Sequence, residues 1–314
     1  MNISSQNLEF TLVSRVRGFP ARHAPGVVVL ETKTARMFRE KTEPPTVEEK
    51  EARVAEGYVH WNGELNTEAT QLLRAGGAMC VVPTKVGYII ATTDSAGLER
   101  KFAVKNRKRN KPAVVLCGSM EELETLAQLT PEIRDFYQKN WDEDILMGCI
   151  LPWRAEAAEQ YIPEEGEARN LVRDGRGTSC FVIRYGKAAE QIAAELWEKD
   201  RKLVFASSAN PSGRGNRGKV EGIGTDIATE ADLVIEADDY VTSIQPDASE
   251  ATRWEQGVMV SFVDESGKLV PEQNGQRMVT PAPVLIRKGV YLDRILQLLS
   301  ESFLSWDFRQ GAYY

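Results

Sequence analysis

Apolar positions follow a helical spacing and then form a continuous run in the segment that begins near residue 67. Ala69, Leu72 and Leu73 recur at helical spacing, and a Gly-Gly pair follows where such a helix would end. Residues 78–83 are then apolar without interruption. Such a run is typical of a strand that is buried on both faces of a mixed or parallel sheet. The pattern predicts a helix leading into a central strand.

Strand and helix candidates alternate along the rest of the chain. Strands are predicted at residues 113–117, 179–184, 202–207, 233–236 and 258–264. Helices are predicted at residues 120–129, 188–199 and 291–299. The alternation predicts an α/β fold with helices on the faces of a sheet. Two polar stretches, 156–176 and 238–256, are predicted to be loops or insertions outside the core.

Residues 1–65 carry mixed signals and are predicted to form an accessory N-terminal region. A short apolar strand is predicted at 26–32, and residues 43–54 are dense in charge. The favoured interpretation is a segment that packs on the main domain and has no chemistry of its own. The main domain is then predicted over residues 66–290, followed by a C-terminal helix and tail at 291–314.

Composition places the chain among cytoplasmic globular proteins. Of its 314 residues 42% are hydrophobic and 27% are charged, close to globular averages. No apolar run approaches the length that spans a bilayer, and the first residues lack the pattern of a signal peptide. A formal net charge of −7 opposes general affinity for nucleic acids, so anions are expected to bind at a local basic patch.

The cysteines and histidines predict no metal site held by the protein. The four cysteines form no C-x-x-C pair and lie mostly in apolar runs, which predicts buried thiols in a reducing compartment. They are Cys80, Cys117, Cys149 and Cys180. With two histidines in the chain and no Cys/His cluster, a structural zinc site is not expected.

A cluster of basic residues precedes the predicted strand at 113–117. Its members are Arg100, Lys101, Lys105, Arg107, Lys108, Arg109 and Lys111. Such a run is usually the solvated face of a helix. Lys105 and Arg107, however, are two residues apart just before a strand, so their side chains could converge on a phosphate or carboxylate.

Small hydroxylated residues follow the predicted strand at 202–207. The sequence Ser-Ser-Ala-Asn-Pro-Ser-Gly begins at Ser207 and includes Ser208 and Asn210. Small residues let backbone N–H groups and short side chains approach a ligand, and loops at strand ends of open α/β sheets bind ligands. An ordinary turn is the alternative, because Asn-Pro and Ser-Gly are common turn pairs.

Two further segments place these features in a longer pattern. Pro-Thr-Lys-Val-Gly-Tyr occupies residues 83–88, and Leu-Ile-Arg-Lys-Gly occupies 285–289. A helix-Gly-Gly-strand-Pro-Thr unit, then Lys-x-Arg before Lys-Pro, then Ser-x-Asn-x-Ser-Gly, then Ile-Arg-x-Gly resembles the YrdC/YciO family in order and spacing. The resemblance runs from about residue 66 to 290. It implies a twisted mixed β-sheet, flanked by helices, around an open basic cavity.

The resemblance also assigns site residues. The family's Lys, Arg, Ser and Asn signature falls on Lys105, Arg107, Ser208 and Asn210, which it implies are catalytic. Nucleotide binding is implied for those four residues together with Ser207 and Arg287. Binding of the amine acceptor is implied for Thr84, Lys85, Tyr88, Arg184 and Ser261.

This chain departs from the family's synthases mainly in the acceptor half. Lys85 stands where the synthases carry an acid, so that residues 83–88 are closer to the YciO branch. Leu116 stands where many synthases carry a histidine, and the Pro-Gly-Pro segment expected near 147–152 is missing. Because Lys85 adds a cation, an acceptor more anionic than threonine is expected.

The function implied is that of a threonylcarbamoyl-AMP synthase-like nucleotidyltransferase. Such an enzyme joins ATP, bicarbonate and an amine into a carbamoyl-adenylate, with Mg²⁺ accompanying the nucleotide. Its product implies tRNA modification and a downstream carbamoyl-transferring partner protein. Two alternatives remain open: an RNA-binding module without catalysis, whose partner would be tRNA or another RNA, and carbamoyl transfer to a small molecule.

Overall fold

The predicted alternation of strands and helices is present as a twisted mixed sheet with helices packed on it. The structure is a computed structural model that describes residues 57–211, 215, 218–249 and 254–311. The predicted strand at 26–32 lies outside the described residues. Across the described ranges the sheet has eleven strands.

The strands run in both relative directions. They are β1 (Val59–His60), β2 (Cys80–Thr84), β3 (Gly87–Thr92), β4 (Val114–Leu116), β5 (Met147–Pro152), β6 (Thr178–Ile183), β7 (Val204–Ser208), β8 (Leu233–Glu236), β9 (Val258–Ser261), β10 (Val284–Arg287) and β11 (Asp307–Phe308). Their order in the sheet is β1-β8-β2-β3-β7-β4-β6-β5-β9-β10-β11. Parallel pairs are β1–β8, β8–β2, β4–β6, β5–β9 and β10–β11, and the other neighbours are antiparallel.

Helices connect most of the strands. In the described residues they are α1 (Thr67–Ala75), α2 (Ser95–Val104), α3 (Met120–Leu126), α4 (Pro131–Asp142), α5 (Ala155–Tyr161), α6 (Ala168–Val172), α7 (Lys187–Asp200), α8 (Thr225–Glu230), α9 (Asp238–Ile244) and α10 (Leu292–Ser302), with a 3₁₀ turn at Val220–Ile223. Side-chain caps begin several of them: Asn66 caps α1, Asp94 caps α2 and Ser119 caps α3. None of the helices within these ranges is long and apolar enough to cross a membrane.

Alternation along the strands separates a closed core from a concave face. On β5, Met147, Cys149 and Leu151 point into a core that α4 and α10 cover. Their neighbour Gly148 points to the opposite face and lines a cavity. All four cysteines are buried free thiols, as the sequence predicts.

The tip of the β2–β3 hairpin bends over this concave face. The backbone N–H of Lys85 donates to the carbonyl of Tyr185, which follows β6, at 2.8 Å. The Gln245 side chain donates to the Lys85 carbonyl at 3.2 Å. Because β2 and β6 are four positions apart in the sheet, these bonds turn the hairpin into one wall of a cavity.

The two polar stretches differ from their prediction. Residues 156–176 contain α6 and most of α5, and residues 238–256 contain α9. Ala157, Leu171 and Val172 are buried in the main core, so the first stretch is not outside it. A short helix needs few apolar residues to bury one side, so it can lie in a stretch whose residues are mostly polar.

The described part of the N-terminal region takes part in the sheet. Val59 and His60 form β1, which pairs in parallel with β8. At the other end of the chain, α10 contributes Ile295, Leu298 and Leu299 to the main core. The domain boundaries at residues 65 and 290 stay predictions.

Candidate functional site: a basic cavity on the concave face

A cavity of about 470 Å³ opens on the concave face. Its walls are the hairpin tip, the end of β7, the segment between α2 and β4, and the starts of β5 and β9. The described polar and charged side chains that line it are Thr84, Tyr88, Lys105, Arg107, Lys108, Lys111, Tyr185, Ser207, Ser208, Asn210, Gln256 and Arg287. Residues from Thr84 to Arg287 thus meet at one site.

The charge of the lining has one sign. Five of the described lining residues are lysine or arginine, and none of the described lining residues is aspartate or glutamate. The whole chain carries a formal net charge of −7, so the charge of the cavity lining is opposite in sign to the net charge of the chain. Clefts lined by one sign of charge concentrate ligands of the opposite sign. The arrangement suits an anionic ligand.

Lys105 stands at the C-terminal end of α2, where the chain leaves the helix. Its side chain is 5% exposed, and its Nζ donates to the carbonyl of Ser208 and lies 3.3 Å from the Ser208 Oγ. Burial, with a smaller contribution from the nearby Arg107 charge, lowers the pKa of Lys105 to about 7. The ammonium is therefore destabilised until an anion binds beside it.

The end of β7 supplies two buried polar atoms without a protein partner. The Oγ of Ser207 and the Oδ1 of Asn210 have no hydrogen-bond partner among the described residues. The other amide atom of Asn210, Nδ2, donates to the carbonyl of Pro211 at 3.0 Å. Buried polar atoms without partners are rare in folded proteins and require an explanation. A bound ligand or water would satisfy both atoms.

Two guanidinium groups face the cavity from its two sides. Arg107 donates to the carbonyls of Lys111 at 2.9 Å and Pro112 at 3.2 Å. Arg287, at the end of β10, donates from Nε to the carbonyl of Gly257 at 2.7 Å. These bonds fix the orientation of each guanidinium group. Both residues line the cavity, so a ligand in the cavity can still contact them.

Tyr185 also lines the cavity, and its buried hydroxyl has no hydrogen-bond partner among the described residues. The rest of the lining is apolar. The aliphatic members are Val86, Ile89, Val114, Leu116, Leu146, Val182, Val258 and Met259. Gly148 also lies here, and a Cβ on it would lie 2.8 Å from the Cys180 Sγ and 3.3 Å from a Val182 methyl. A side chain on Gly148 would therefore crowd this surface. A ligand that fits the cavity needs an anionic part and an apolar part.

The hydroxyl groups of the hairpin are already used. Thr84 donates to the Gly87 carbonyl at 2.7 Å and accepts from the Val86 N–H at 3.2 Å. Tyr88 donates to the Asp238 carboxylate at 2.5 Å and accepts from the Ala237 N–H at 2.9 Å. Burial and the Asp238 contact raise the pKa of Tyr88. Both hydroxyls support the hairpin rather than projecting free into the cavity.

Comparison with known proteins identifies the family. The Sua5/YciO/YrdC family model, described as telomere recombination, matches residues 71–248. The chain belongs to this family. A search of the curated proteins finds no match.

Several solved structures share the fold. The crystal structure of smu.1377c, a hypothetical protein from Streptococcus mutans, is 60% identical with a TM-score of 0.77, and the match covers 82% of this chain and 98% of that one. P. abyssi Sua5 complexed with L-threonine is 18% identical with a TM-score of 0.52, covering 78% and 61% of the two chains. E. coli YciO is 17% identical with a TM-score of 0.50, covering 74% and 94%.

Eight of the eleven site residues predicted for this Sua5/YciO/YrdC chain line the cavity. They are Thr84, Tyr88, Lys105, Arg107, Ser207, Ser208, Asn210 and Arg287. Ser261 does not line it; this residue is buried at the end of β9, where its Oγ lies 3.4 Å from the Val263 carbonyl.

Lys85 and Arg184 are directed to a second group of charges behind the hairpin tip. The Nζ of Lys85 lies 2.8 Å from the Asp144 Oδ2, and its side chain is 3% exposed. Arg184 stacks on Trp141 at 3.9 Å and donates to the Trp141 carbonyl at 2.8 Å. Since Asp144 neutralises Lys85 here, Lys85 adds no cation to the cavity lining. The expectation of a more anionic acceptor loses its basis.

Apart from Leu116, which the resemblance connects with the acceptor half, the apolar lining was not identified as part of the site from the sequence. Leu116, Val182 and Met259 lie on strands that were predicted, but which face of each strand meets the cavity depends on the sheet order. The alternation along β4 and β6 is the signal that could have separated cavity-facing from core-facing residues. Across the described ranges, no group of three His, Cys, Asp or Glu residues is placed to hold a metal ion.

Proposed function

We propose that this protein forms a carbamoyl-adenylate from ATP, bicarbonate and an amine. The observation that carries the proposal is the pair of partnerless buried atoms, Ser207 Oγ and Asn210 Oδ1, beside Lys105 in a cavity whose described lining has no carboxylate. Preorganised cations and polar groups of this kind stabilise phosphates and the charge that develops during phosphoryl transfer.

The reaction has two steps. The amine and bicarbonate first combine to a carbamate, with loss of water. A carbamate oxygen then attacks the α-phosphorus of ATP; the new P–O bond forms as the bond to the β-phosphate breaks, and pyrophosphate leaves with the electron pair. No covalent enzyme nucleophile takes part, so the work of the protein is to position the reactants and to neutralise charge. Mg²⁺ enters with ATP and neutralises phosphate oxygens.

The residues of the cavity divide between these tasks. Lys105 and Arg107 bind the phosphates, Ser208 and Asn210 hydrogen-bond to phosphate or carbamate oxygens, and Arg287 holds the nucleotide from the β10 side. The hairpin with Thr84 and Tyr88 forms the wall of the acceptor end. An amino acid is the proposed acceptor because a family member, P. abyssi Sua5, binds L-threonine in its crystal structure. A downstream carbamoyl-transferring protein would consume the reactive mixed anhydride.

The test is isotope exchange between pyrophosphate and ATP in the presence of bicarbonate and a panel of amino acids, with the adduct detected by mass spectrometry. We expect exchange that requires both bicarbonate and an amino acid. Lys105→Met should lower the rate at least about tenfold, because one phosphate-neutralising cation is lost. Lys199→Met, at an exposed position of α7, is the matched control and should retain the rate. Absence of exchange with every amino acid contradicts the proposal.

RNA binding is the second candidate function. Lys108 and Lys111 are exposed on the rim of the cavity and could contact a phosphate backbone. RNA retention that falls steeply with added salt, together with no thermal stabilisation by ATP, would favour this candidate over catalysis.

A further inference from the structure

The exposed apolar side chains of the protein gather near the C-terminal edge of the sheet. Among the described residues the large exposed hydrophobic side chains are Val59, Met278, Leu304 and Phe308. Phe308 lies on β11, and Leu304 precedes that strand by three residues. The Met278 N–H donates to the Oγ of Ser305, so Met278 lies beside the same segment. Exposed apolar side chains that collect in one place mark an interaction site, whereas scattered ones need no explanation.

The backbone of Met278 holds its side chain in the solvent. The φ of Met278 is +63°, a left-handed conformation that bulky residues rarely adopt. Its side chain is 88% exposed, and the hydrogen bond to Ser305 at 2.7 Å fixes its N–H. Methionine is common on binding surfaces because its unbranched side chain adapts to a partner. The strained position therefore indicates a surface that is covered in a complex.

Strand β11 has an open edge beside these side chains. It is the last strand in the sheet order, with β10 on one side and no described strand on the other. The N–H groups of Asp307 and Arg309 donate toward β10, to the carbonyls of Pro283 and Leu285 at 2.9 Å. The backbone groups of Phe308, between them, therefore point to the open edge. Such an edge is a template for pairing with another strand.

We infer that a second copy of this chain pairs with β11 in the antiparallel direction, about a two-fold axis at Phe308. In this arrangement Phe308 and Phe308 of the second copy lie directly opposite and exchange both backbone hydrogen bonds. A two-fold axis presents the same surface on both copies, so the interface has to be complementary to itself. The pairing does not depend on the proposed reaction, because Phe308 lies outside the cavity lining.

The charges on both sides of Phe308 meet this requirement. In the register centred on Phe308, Asp307 faces Arg309 of the second copy, and Arg309 faces Asp307 of the second copy. Opposite charges directly across an antiparallel pair stabilise it, and like charges destabilise it. A register centred on Asp307 or on Arg309 would place like charges opposite each other at the axis. The charge pattern therefore favours the register centred on Phe308.

Pairing exchanges bonds that the single copy already makes. Asp307 accepts from the Phe308 N–H at 2.7 Å and from the Arg309 Nε at 2.9 Å. In the pair, the Phe308 N–H binds the opposite Phe308 carbonyl, and Asp307 keeps a guanidinium partner from the second copy. Because these polar bonds are exchanged, the net gain comes mainly from contact between the exposed apolar side chains. A small interface of this kind predicts a weak dimer.

Sedimentation velocity of the full chain tests the pairing. We expect a monomer at about 1 μM and a dimer at about 200 μM. Asp307→Arg and Arg309→Asp should each weaken dimerisation at least about tenfold, because each places like charges opposite each other twice. An equimolar mixture of the two variants should dimerise again, because every facing pair of charges is then opposite in sign.

Asp247→Arg is the matched control. It makes the same change of charge at an exposed turn residue after α9, and it should leave the dimer intact. Unfolding cannot imitate the expected result, because a dimer in the mixture requires both variants to be folded. Three results would overturn the pairing: a monomer at about 200 μM, a dimer that resists both variants, and a mixture that stays monomeric where the unmodified chain dimerises.

Discussion

Lys105 is the residue whose charge state links the cavity to pH. Burial, and to a smaller extent the Arg107 charge, lowers its pKa to about 7, so the free protein loses the Lys105 proton near neutral pH. A bound triphosphate stabilises the ammonium and raises this pKa. Binding of ATP should then be coupled to proton uptake near pH 7.

The sign of the pH dependence follows from this linkage. Below pH 7 Lys105 is protonated with or without ATP, so its titration should not change the ATP affinity. Above pH 7 the affinity should weaken by up to about tenfold per pH unit, until the pH reaches the raised pKa of Lys105 in the ATP-bound protein. Calorimetry in buffers of different ionisation enthalpy measures both quantities. Lys105→Arg keeps its positive charge at every pH, so its pH profile shows the contribution of the titration of ATP itself. Equal slopes of ATP affinity against pH for the unmodified protein and for Lys105→Arg would refute the assignment of the pH dependence to Lys105.

Sequence alone could group Lys105, Arg107, Ser208 and Asn210, because their order and spacing match a family signature, and all four line one cavity. Lys85 shows the limit of that approach. Its position suggested a cation in the acceptor site, but its partner Asp144 is distant in the chain and meets it because the hairpin bends toward β6. No pattern of residue types near Lys85 reports that contact.

At the scale of elements, the junction between the β2–β3 hairpin and α7 shapes the site. Gly186 precedes α7 with a φ of +129°, which L side chains rarely adopt. A Cβ on it would lie 3.0 Å from the Lys85 nitrogen and 3.1 Å from the Thr84 Cα. The missing side chain is what lets the hairpin tip approach β6.

Gly186→Ala should therefore loosen the hairpin tip. We expect a loss of about 1–3 kcal/mol in the free energy of unfolding, measured with urea, because the substitution combines backbone strain with close contacts. Gly175→Ala is the matched control, since a Cβ there meets nothing within 4 Å, and it should change stability by less than about 0.5 kcal/mol. The explanation fails if the two variants are equally stable.

Most elements with a strong apolar pattern could be predicted, while short amphipathic ones could not. Strand β8 was predicted with its exact bounds, and α1 and α7 to within a residue or so. Strands β3 and β5 escaped prediction although they are nearly all buried, because neighbouring charged segments left them without clear boundaries. Burial of α6 depends on Ala168, Leu171 and Val172, too few residues to establish a period.

At the scale of the whole molecule, the C-terminal helix belongs to the main core. Phe303 follows α10 and lies 5.8 Å from Phe136 of α4 and 5.2 Å from Phe262, ring to ring. Its side chain is 2% exposed, while its neighbour Leu304 is 46% exposed. A sequence pattern predicts a helix at this position but cannot tell that it closes a core formed mainly by earlier residues.

Phe303→Ala should cost about 3–5 kcal/mol of stability, because it removes a large buried ring from a packed aromatic cluster. Leu304→Ala, one residue away on the surface, should cost less than about 0.5 kcal/mol. Thermal and urea unfolding compare the two variants. If Phe303→Ala lost no more stability than Leu304→Ala, the C-terminal helix would not be part of the core.

The sheet order also has a consequence for biosynthesis. Because the cavity is lined from Thr84 to Arg287, a nascent chain lacks part of the site until almost all of it has left the ribosome. Partly made or truncated chains should be unable to retain nucleotide, and a ligand that binds the finished cavity should protect the entire fold from proteolysis. Occupancy of the cavity would in this way report that synthesis and folding are complete.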